Sequence, residues 1–256
     1  MKNTKWNPDQ YEKFIVQRTK PFHDLKNLIQ AESIRNAIDL GCGTGKLTRN
    51  LCDAFKPAKM KGIDSSPSML RDAKKFETQE LTFQHEDIST HAPVERYDLV
   101  FSNAALQWLP DHEVLFPKIL NWVEDYGQVA IQMPFNFDHP SHRLAGEVAH
   151  RLFPLLFEAP RQAQVLSLQR YAEILFQNGF ENQIARLEIY GHAMDSGKDV
   201  IEWTKGTLLT GYQSKLDEAQ FSEFLNTYET ELIQEIGEGP YFYAFKRALL
   251  WGRKRP

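Results

Sequence analysis

Four residues with oxygen-bearing side chains stand at or just after the ends of predicted strands, where they could bind one ligand together. Asp39, Asp64, Asp87 and Asn103 each belong to or follow an apolar run typical of a β-strand. Ligands of open α/β sheets bind outside the carboxyl ends of the strands, so we expect these side chains to share one edge. Carboxylate and amide oxygens accept hydrogen bonds from hydroxyl and amine groups. The set therefore suits a ligand with a ribose and an adenine, although each acid taken singly could be a turn or helix-start residue.

A glycine-rich turn lies between the first strand and the helix that follows it. Residues 37–45 read Ala-Ile-Asp-Leu-Gly-Cys-Gly-Thr-Gly, and these glycines allow a ligand to approach the backbone. A dinucleotide-binding loop has its third glycine one position later, where this chain has Lys46. Asp64 stands about 20 residues beyond the loop, where a ribose-binding acid is expected. Taken alone the loop could be an unrelated turn, but with Asp64 it predicts a nucleotide site whose glycine spacing opposes a nicotinamide-dependent oxidoreductase.

The elements that position these residues alternate along the first half of the chain. Apolar runs separated by amphipathic stretches predict strands near residues 37–40, 60–63, 81–85, 97–101 and 129–133. Strands and helices alternating at this pitch predict an α/β fold with a doubly wound, mostly parallel sheet. Beyond residue 135, stretches rich in leucine and aromatic residues predict a helical cap, a strand at 181–190, and a final antiparallel strand at the sheet edge, 241–251. We therefore divide the chain into a core with N-terminal helices, 1–135, and a cap or substrate region with the last strands, 136–256.

Composition excludes several classes of protein. The chain has 256 residues and a net charge of −4, which gives no electrostatic footprint for nucleic acid. No apolar run reaches the length of about 18 residues that suggests a membrane span, and the N-terminus lacks the apolar core of a signal peptide. Cys42 and Cys52 are too few for a disulfide framework or a cysteine metal site and read as buried free thiols. We expect a cytoplasmic, monomeric protein that binds no nucleic acid, membrane or metal.

Two further motifs are narrower than the glycine loop. Residues 6–8 read Trp-Asn-Pro, and residues 103–112 read Asn-Ala-Ala-Leu-Gln-Trp-Leu-Pro-Asp-His. With the glycine loop, Gly-Ile-Asp-Ser-Ser-Pro at 62–67 and Gln-Met-Pro at 132–134, the chain resembles the class I S-adenosylmethionine-dependent methyltransferases. The resemblance is strong over residues 1–135 and thin beyond them. It implies a seven-stranded Rossmann-like methyltransferase sheet with S-adenosylmethionine as the cofactor.

The resemblance also implies roles for individual residues. Asp64 would bind the ribose hydroxyls and Asp87 the adenine amine, while the Arg18 guanidinium suits the carboxylate of the cofactor. The whole predicted cofactor set is Arg18, Asp39, Gly41, Gly43, Gly45, Asp64, Ser65, Met69, Asp87, Ile88, Asn103, Leu106 and Trp108. Cations and hydrogen-bond donors that could bind a carboxylate acceptor are Tyr11, His139, His142, Arg143, Tyr171, Lys205 and Tyr212. No catalytic base is predicted, because a carboxylate is already a nucleophile at neutral pH.

The identity of the methyl acceptor is the least constrained inference. Within the family, the chain resembles the enzymes that methylate small polycarboxylic acids such as trans-aconitate. It departs from their pattern after Trp203, where Thr210 and Gly211 replace an arginine and a proline. Lys205-Gly206 instead resembles the methyltransferases that act on malonyl carrier protein in biotin synthesis. Another small-molecule acceptor, or a binding protein that kept the fold without turnover, remains an alternative.

Overall fold

A computed structural model describes residues 15–31, 34–158 and 165–256 of the chain. The Trp-Asn-Pro motif at 6–8 and the predicted roles of Tyr11 and of the Arg18 side chain lie outside the described residues. Within the described ranges, no helix has the length and apolar character needed to cross a membrane. In the same ranges, no group of three His, Cys, Asp or Glu side chains is arranged to hold a metal ion.

One mixed sheet carries the predicted strand ends. Its strands are β1 (Asn36–Leu40), β2 (Lys59–Asp64), β3 (Leu81–His85), β4 (Tyr97–Asn103), β5 (Val123–Pro134), β6 (Asn182–Met194) and β7 (Tyr241–Arg253). They lie in the order β3-β2-β1-β4-β5-β7-β6. Neighbours from β3 to β5 are parallel, and β7 is antiparallel to β5. This arrangement confirms the predicted seven-stranded, mostly parallel, doubly wound sheet.

The position predicted for the last strand was wrong. β7 is antiparallel, as expected, but it lies inside the sheet between β5 and β6, and β6 forms the edge. The residues from Ala248 to Trp251 are all buried, whereas β6 is half-exposed along most of its length. A continuous apolar run requires burial on both faces of the sheet, which an edge strand does not provide.

The helices alternate with the strands in the first half of the chain and predominate in its later part. They are α1 (Ile15–Lys26), α2 (Lys46–Phe55), α3 (Pro67–Ala73), α4 (His112–Leu120), α5 (Pro140–Leu152), α6 (Leu168–Gln177), α7 (Gly197–Lys205), α8 (Leu208–Gln213) and α9 (Glu218–Ile236). Pro21 lies inside α1, although proline usually ends a helix. The residues beyond it, Phe22 and Leu25, are fully buried, so their packing outweighs the backbone hydrogen bond that proline cannot make.

The chain forms two compact units, which we call the sheet unit and the helical unit. The sheet unit comprises Thr19–Phe135, Gln164–Glu188 and Arg247–Pro256. The later part of the helical unit comprises Asn136–Ala163 and Ile189–Lys246. The chain thus leaves the sheet unit after Phe135 and returns to it twice, a course more complex than the division of the sequence at residue 135. All predicted cofactor residues with a described side chain belong to the sheet unit.

Candidate active site

Strand register brings the predicted site residues to one edge of the sheet unit. Asp39 of β1 is in register with Phe101 of β4, which in turn is in register with Ala130 of β5. On the other side of β1, Leu40 is in register with Ile63, the residue before Asp64. Because these strands are parallel, their carboxyl ends and the loops after them share that edge.

The glycine loop after β1 has the backbone that its sequence predicts. Gly41, Gly43 and Gly45 have φ angles of 76°, 55° and 74°, in the left-handed region that favours glycine. A Cβ atom on Gly41 would lie 2.2 Å from the Cβ atom of Ala105, so the loop there is packed against the turn after β4. A Cβ atom on Gly43 would meet no atom within 4 Å, so the backbone at Gly43 is open to a ligand.

Asp64 ties this loop to the end of β2. Its Oδ2 atom accepts a hydrogen bond from the Gly43 N–H at 2.9 Å, and its Oδ1 atom accepts one from the Ser66 N–H at 2.8 Å. An ionised carboxylate offers about four acceptor positions, so lone pairs remain for the hydroxyls of a ribose. The same hydrogen bonds hold the Asp64 carboxylate beside Gly43, whose backbone is open to a ligand.

Asp39 is the buried acid of the site. Its side chain is 4% exposed, and its Oδ2 atom accepts a hydrogen bond from Thr48 Oγ1 at 2.6 Å. Burial raises the pKa of Asp39 to about 7, and the nearby charge of Asp64 acts in the same direction, while the Thr48 hydrogen bond opposes it. Thr48 lies on α2 and has no role in the sequence prediction; its spacing of nine residues from Asp39 shows no recognisable pattern.

We expect Asp39→Asn to stabilise the ligand-free protein above neutral pH. The pKa of Asp39 rises from 3.8 in an unfolded chain to about 7 in the folded one. The favourable contribution of its proton is therefore complete below pH 4 and is lost as the pH rises to 7. The variant should gain roughly 4 kcal/mol of unfolding free energy over wild type between pH 4 and pH 8, at about 1.4 kcal/mol per pKa unit. Urea denaturation at the two pH values measures this difference. A difference in unfolding free energy between variant and wild type that does not change with pH would contradict the raised pKa of Asp39.

The predicted adenine end of the site lies after β3. Asp87 Oδ1 accepts hydrogen bonds from the Ser89 hydroxyl at 2.7 Å and from the Ser89 N–H at 2.8 Å, and these bonds lower the pKa of Asp87. Asp87 therefore stabilises the turn after β3, independently of any ligand that it binds. Ile88 is buried, and its side chain lies 4.0 Å from the position of a Cβ atom on Gly41. Ser65 and Met69, predicted to flank the adenine, are both exposed.

The turn after β4 carries the remaining cofactor candidates. Ala104 has a φ of 57°, and its carbonyl accepts a hydrogen bond from Gln107 Nε2 at 2.7 Å. Leu106 is fully buried, whereas Trp108 is 58% exposed. The Asn103 Oδ1 atom is buried and accepts no hydrogen bond from any residue that the structure describes. An unpaired buried acceptor at this edge suits a ligand that carries a hydrogen-bond donor.

His112 holds this turn in place, a role that the sequence analysis missed. The imidazole is buried; its Nε2 atom donates to the Leu106 carbonyl at 2.9 Å, and its Nδ1 atom accepts from the Tyr171 hydroxyl at 2.5 Å. The Tyr171 oxygen also accepts the Leu166 N–H at 3.0 Å. Burial lowers the pKa of His112, which favours this neutral form. Tyr171, predicted to contact the acceptor, is fully buried, and a direct contact would first have to break these hydrogen bonds.

The two histidines predicted for the acceptor belong to a polar network inside the helical unit. His139 Nε2 hydrogen-bonds the Tyr241 hydroxyl at 2.9 Å, and His139 Nδ1 hydrogen-bonds Ser141 Oγ at 2.9 Å. Ser141 Oγ also lies 3.1 Å from His142 Nδ1 and 3.1 Å from the Tyr243 hydroxyl. Burial lowers the pKa of His139 to about 4 and that of His142 to about 3. Both imidazoles are therefore neutral near pH 7.

This network predicts a loss of stability in mild acid. Because both pKa values lie below the ordinary 6.5 of histidine, the unfolded chain takes up these protons first. The stabilising contribution is complete above pH 6.5 and is lost toward pH 4, at about 1.4 kcal/mol per unit for each imidazole. We expect His142→Gln to flatten the pH dependence of the unfolding free energy, measured by urea denaturation between pH 4 and pH 7. An unchanged slope would mean that His142 is solvated.

The remaining acceptor candidates are already partnered within the helical unit. Arg143 pairs with Glu147 at 2.9 Å and with Glu235 at 2.5 Å. Lys205 pairs with Glu202 at 2.8 Å and with Glu229 at 2.9 Å. The Tyr212 ring stacks on Phe224 with the ring centroids 5.1 Å apart. To bind an acceptor carboxylate, either cation would have to exchange or share its glutamates.

The sheet unit fits the cofactor S-adenosylmethionine at its carboxyl edge. The open Gly43 backbone, the Asp64 carboxylate and the unpaired Asn103 oxygen lie on consecutive elements of that edge. The methyltransferase domain family matches residues 37–127, which span this loop and the strands around it. The fold, the residues at the carboxyl edge of the sheet and the match to the methyltransferase domain together define a methyltransferase that uses S-adenosylmethionine.

Comparison with curated proteins narrows the class. The trans-aconitate 2-methyltransferase of Deinococcus radiodurans is 38% identical over 95% of this chain and 96% of its own length. The trans-aconitate 2-methyltransferase of Enterobacter sp. (strain 638) is 33% identical over 98% of this chain and 99% of its own. The chain belongs to the trans-aconitate 2-methyltransferase family.

A solved structure shows the same fold at low identity. Phosphoethanolamine N-methyltransferase 2 of Haemonchus contortus, in complex with S-adenosyl-L-methionine, superposes with a TM-score of 0.57 at 19% identity. The match covers 93% of this chain and 53% of that one. At this identity the likeness establishes the fold.

Proposed function

We propose that this protein transfers the methyl group of S-adenosylmethionine to a carboxylate oxygen of trans-aconitate. The observation that carries the proposal is the 38% identity over 95% of the chain to a protein named for that reaction. The similarity is not confined to the nucleotide-binding segment; it extends over the helical unit as well.

The reaction requires little acid–base chemistry from the protein. Bound S-adenosylmethionine supplies a methyl group on a positively charged sulfur. A carboxylate oxygen forms a bond to the methyl carbon as the carbon–sulfur bond breaks, which gives a methyl ester and S-adenosylhomocysteine with no proton to move. The residues of the chain bind the two reactants, align them and exclude water, effects worth roughly 7–11 kcal/mol in favourable cases.

Within this proposal the sheet unit holds the cofactor. Asp64 binds the ribose hydroxyls and Asp87 the adenine amine. Asp39 lines the methionine and ribose part, and Asn103 closes over the sulfonium end. The backbones of Gly41, Gly43 and Gly45 line the same path, with Ser65, Met69, Ile88, Leu106 and Trp108 beside it. Arg143, Lys205, His139, His142 and Tyr212 stay candidates for the acceptor carboxylates.

One departure from the family pattern bears on the acceptor. Thr210 stands where the family pattern has an arginine, and it is exposed at the start of α8. Its hydroxyl donates to the Thr207 carbonyl at 2.6 Å, a hydrogen bond within the same turn of the chain. Any carboxylate bound by the family arginine must therefore find another donor in this chain.

The proposal is tested by acceptor selection. Purified protein is incubated with methyl-labelled S-adenosylmethionine and, separately, trans-aconitate, citrate, isocitrate and malonyl carrier protein. We expect base-labile label on trans-aconitate at the highest kcat/KM. Asp64→Ala serves as the control for label that does not depend on the cofactor site. Label on the carrier protein alone, or on none of the four, overturns the trans-aconitate assignment.

A further inference from the structure

Gln132 of β5 has a buried side-chain amide with unusual surroundings. Its side chain is fully buried, and neither Oε1 nor Nε2 bonds to any residue in the described part of the chain. Nearly all buried amides in proteins are hydrogen-bonded, because an unsatisfied one loses its hydration without compensation. An amide left in this state is therefore expected to serve something other than folding.

A second buried glutamine on the same strand has a side-chain amide that is hydrogen-bonded within the protein. Gln128 lies four residues before Gln132 and is 2% exposed. Its Oε1 atom accepts from the Gln30 N–H at 2.9 Å and from Trp251 Nε1 at 3.0 Å. Its Nε2 atom donates to the Gln30 carbonyl at 2.8 Å. The two glutamines thus share a strand and burial but differ in hydrogen bonding.

Gln132 lies beside the predicted cofactor residues. It is in register with Asn103, the last residue of β4, so the two side chains project from the same face of neighbouring strands. Asn103 Oδ1 and Gln107 Oε1 are also buried and unpaired among the described residues. Asn103 and Gln132 thus carry unpaired polar atoms on paired residues near the ends of β4 and β5. Several unpaired polar atoms at one strand edge indicate a shared ligand site rather than a single packing defect.

The strand order indicates which ligand Gln132 faces. Predicted cofactor contacts run from Asp87 after β3, through Asp64 of β2 and the loop after β1, to Asn103 of β4. They follow the cofactor from its adenine to its sulfonium. β5 is the next strand, about 4.8 Å farther along the sheet. Its carboxyl end is therefore positioned for the molecule that receives the methyl group.

We infer that Gln132 is an acceptor-binding residue whose Nε2 atom donates a hydrogen bond to a carboxylate of the acceptor. This inference rests on the proposed function. A neutral donor orients an anion while leaving most of its charge on the attacking oxygen. Both polar atoms of Gln132 are covered in this structure, so the acceptor reaches them only after the covering groups move.

The test compares matched substitutions of the two glutamines. Methionine has nearly the length of glutamine without its polar atoms, so Gln132→Met removes the amide and keeps the packing. We expect the KM for trans-aconitate to rise about 10- to 100-fold, the factor for a lost hydrogen bond to a charged group. The Kd of S-adenosylmethionine should stay within about twofold, and the urea midpoint should stay equal or rise, because no hydrogen bond is lost on folding.

Gln128→Met is the control, since it removes satisfied hydrogen bonds away from the strand end. Its urea midpoint should fall while its KM for trans-aconitate stays unchanged. Gln132→Glu should raise the KM further than Gln132→Met, because a carboxylate repels the acceptor.

Three outcomes overturn the inference. Wild-type turnover with an unchanged KM in Gln132→Met leaves the proposed function standing and removes Gln132 from the acceptor site. A lower urea midpoint in Gln132→Met, like that of Gln128→Met, shows a structural amide instead. A wild-type protein that methylates none of the acids overturns both the inference and the function on which it rests.

Discussion

Replacing Asp64 with alanine is expected to weaken S-adenosylmethionine binding about 30-fold, equivalent to about 2 kcal/mol, in a protein that still folds. The Asp64 carboxylate has two roles that explain this expected loss of affinity. In the proposed site it accepts hydrogen bonds from the ribose hydroxyls, and in the structure it accepts the Gly43 and Ser66 N–H groups at 2.9 and 2.8 Å. Its loss therefore removes ligand contacts and loosens the loop. Titration calorimetry with S-adenosylmethionine measures the Kd directly.

A nearby acid provides the control for this experiment. Asp72 lies on α3, the helix that follows Asp64, and its exposed carboxylate pairs with Lys75 at 2.6 Å. Asp72→Ala removes the same charge from the same region without touching the strand edge, so it should leave the Kd unchanged. Equal Kd values for wild type and a folded Asp64→Ala variant would show that the ribose is bound elsewhere.

Gly41→Ala is expected to destabilise the fold by about 3 kcal/mol and to abolish cofactor binding. The added Cβ atom would lie 2.2 Å from the Cβ atom of Ala105, and the φ of 76° is strained for any residue except glycine. Relief of that contact requires the loop to separate from the turn after β4. Urea denaturation and calorimetric titration of the variant report the two effects.

Two further variants separate the close contact from backbone strain. Gly43 has a φ of 55° but open space around its Cβ position, so Gly43→Ala should cost only about 1 kcal/mol of stability. It should nevertheless weaken cofactor binding, because the new methyl group occupies the ligand path. Ala105→Gly added to Gly41→Ala should recover most of the lost stability. Equal destabilisation by the two single alanine variants would mean that Ala105 does not set the requirement for Gly41.

The parts of the site that could be predicted from sequence are those encoded locally. The glycine loop predicts its own backbone, because left-handed φ angles are accessible to glycine and strained elsewhere. Ser66-Pro67 predicts the start of α3, and Ser66 Oγ does accept the Met69 N–H, at 3.4 Å. Asp64 lies near the loop in sequence, so the pairing of neighbouring strands is sufficient to bring it to Gly43.

The errors and omissions involve contacts between distant residues. His112 and Tyr171 are 59 positions apart, and no periodicity links them. Arg143 and Glu235 are 92 positions apart, so the pairing that occupies Arg143 was not visible to sequence analysis. The interior position of β7 could have been inferred from the apolar run Ala248–Trp251, which an edge strand would leave exposed.

Gln132 shows a different limit of sequence analysis. It belongs to a Gln-Met-Pro stretch that contributes to the family resemblance, but so far as the sequence shows it is equivalent to Gln128. Only the hydrogen-bond partners distinguish the satisfied amide from the unsatisfied one. The cost of an unpaired buried amide, about 1–3 kcal/mol, is large enough to be informative about function.

The most direct test of the account is product analysis with the purified full chain. S-adenosylmethionine and trans-aconitate are incubated with the protein, and the products are followed by chromatography and mass spectrometry. The account predicts a trans-aconitate monomethyl ester, released as acid and methanol by base, with one S-adenosylhomocysteine formed per ester. If the cofactor binds with the expected dependence on Asp64 but trans-aconitate stays unmodified, the proposed reaction is contradicted. Only the assignment of the cofactor site is then retained.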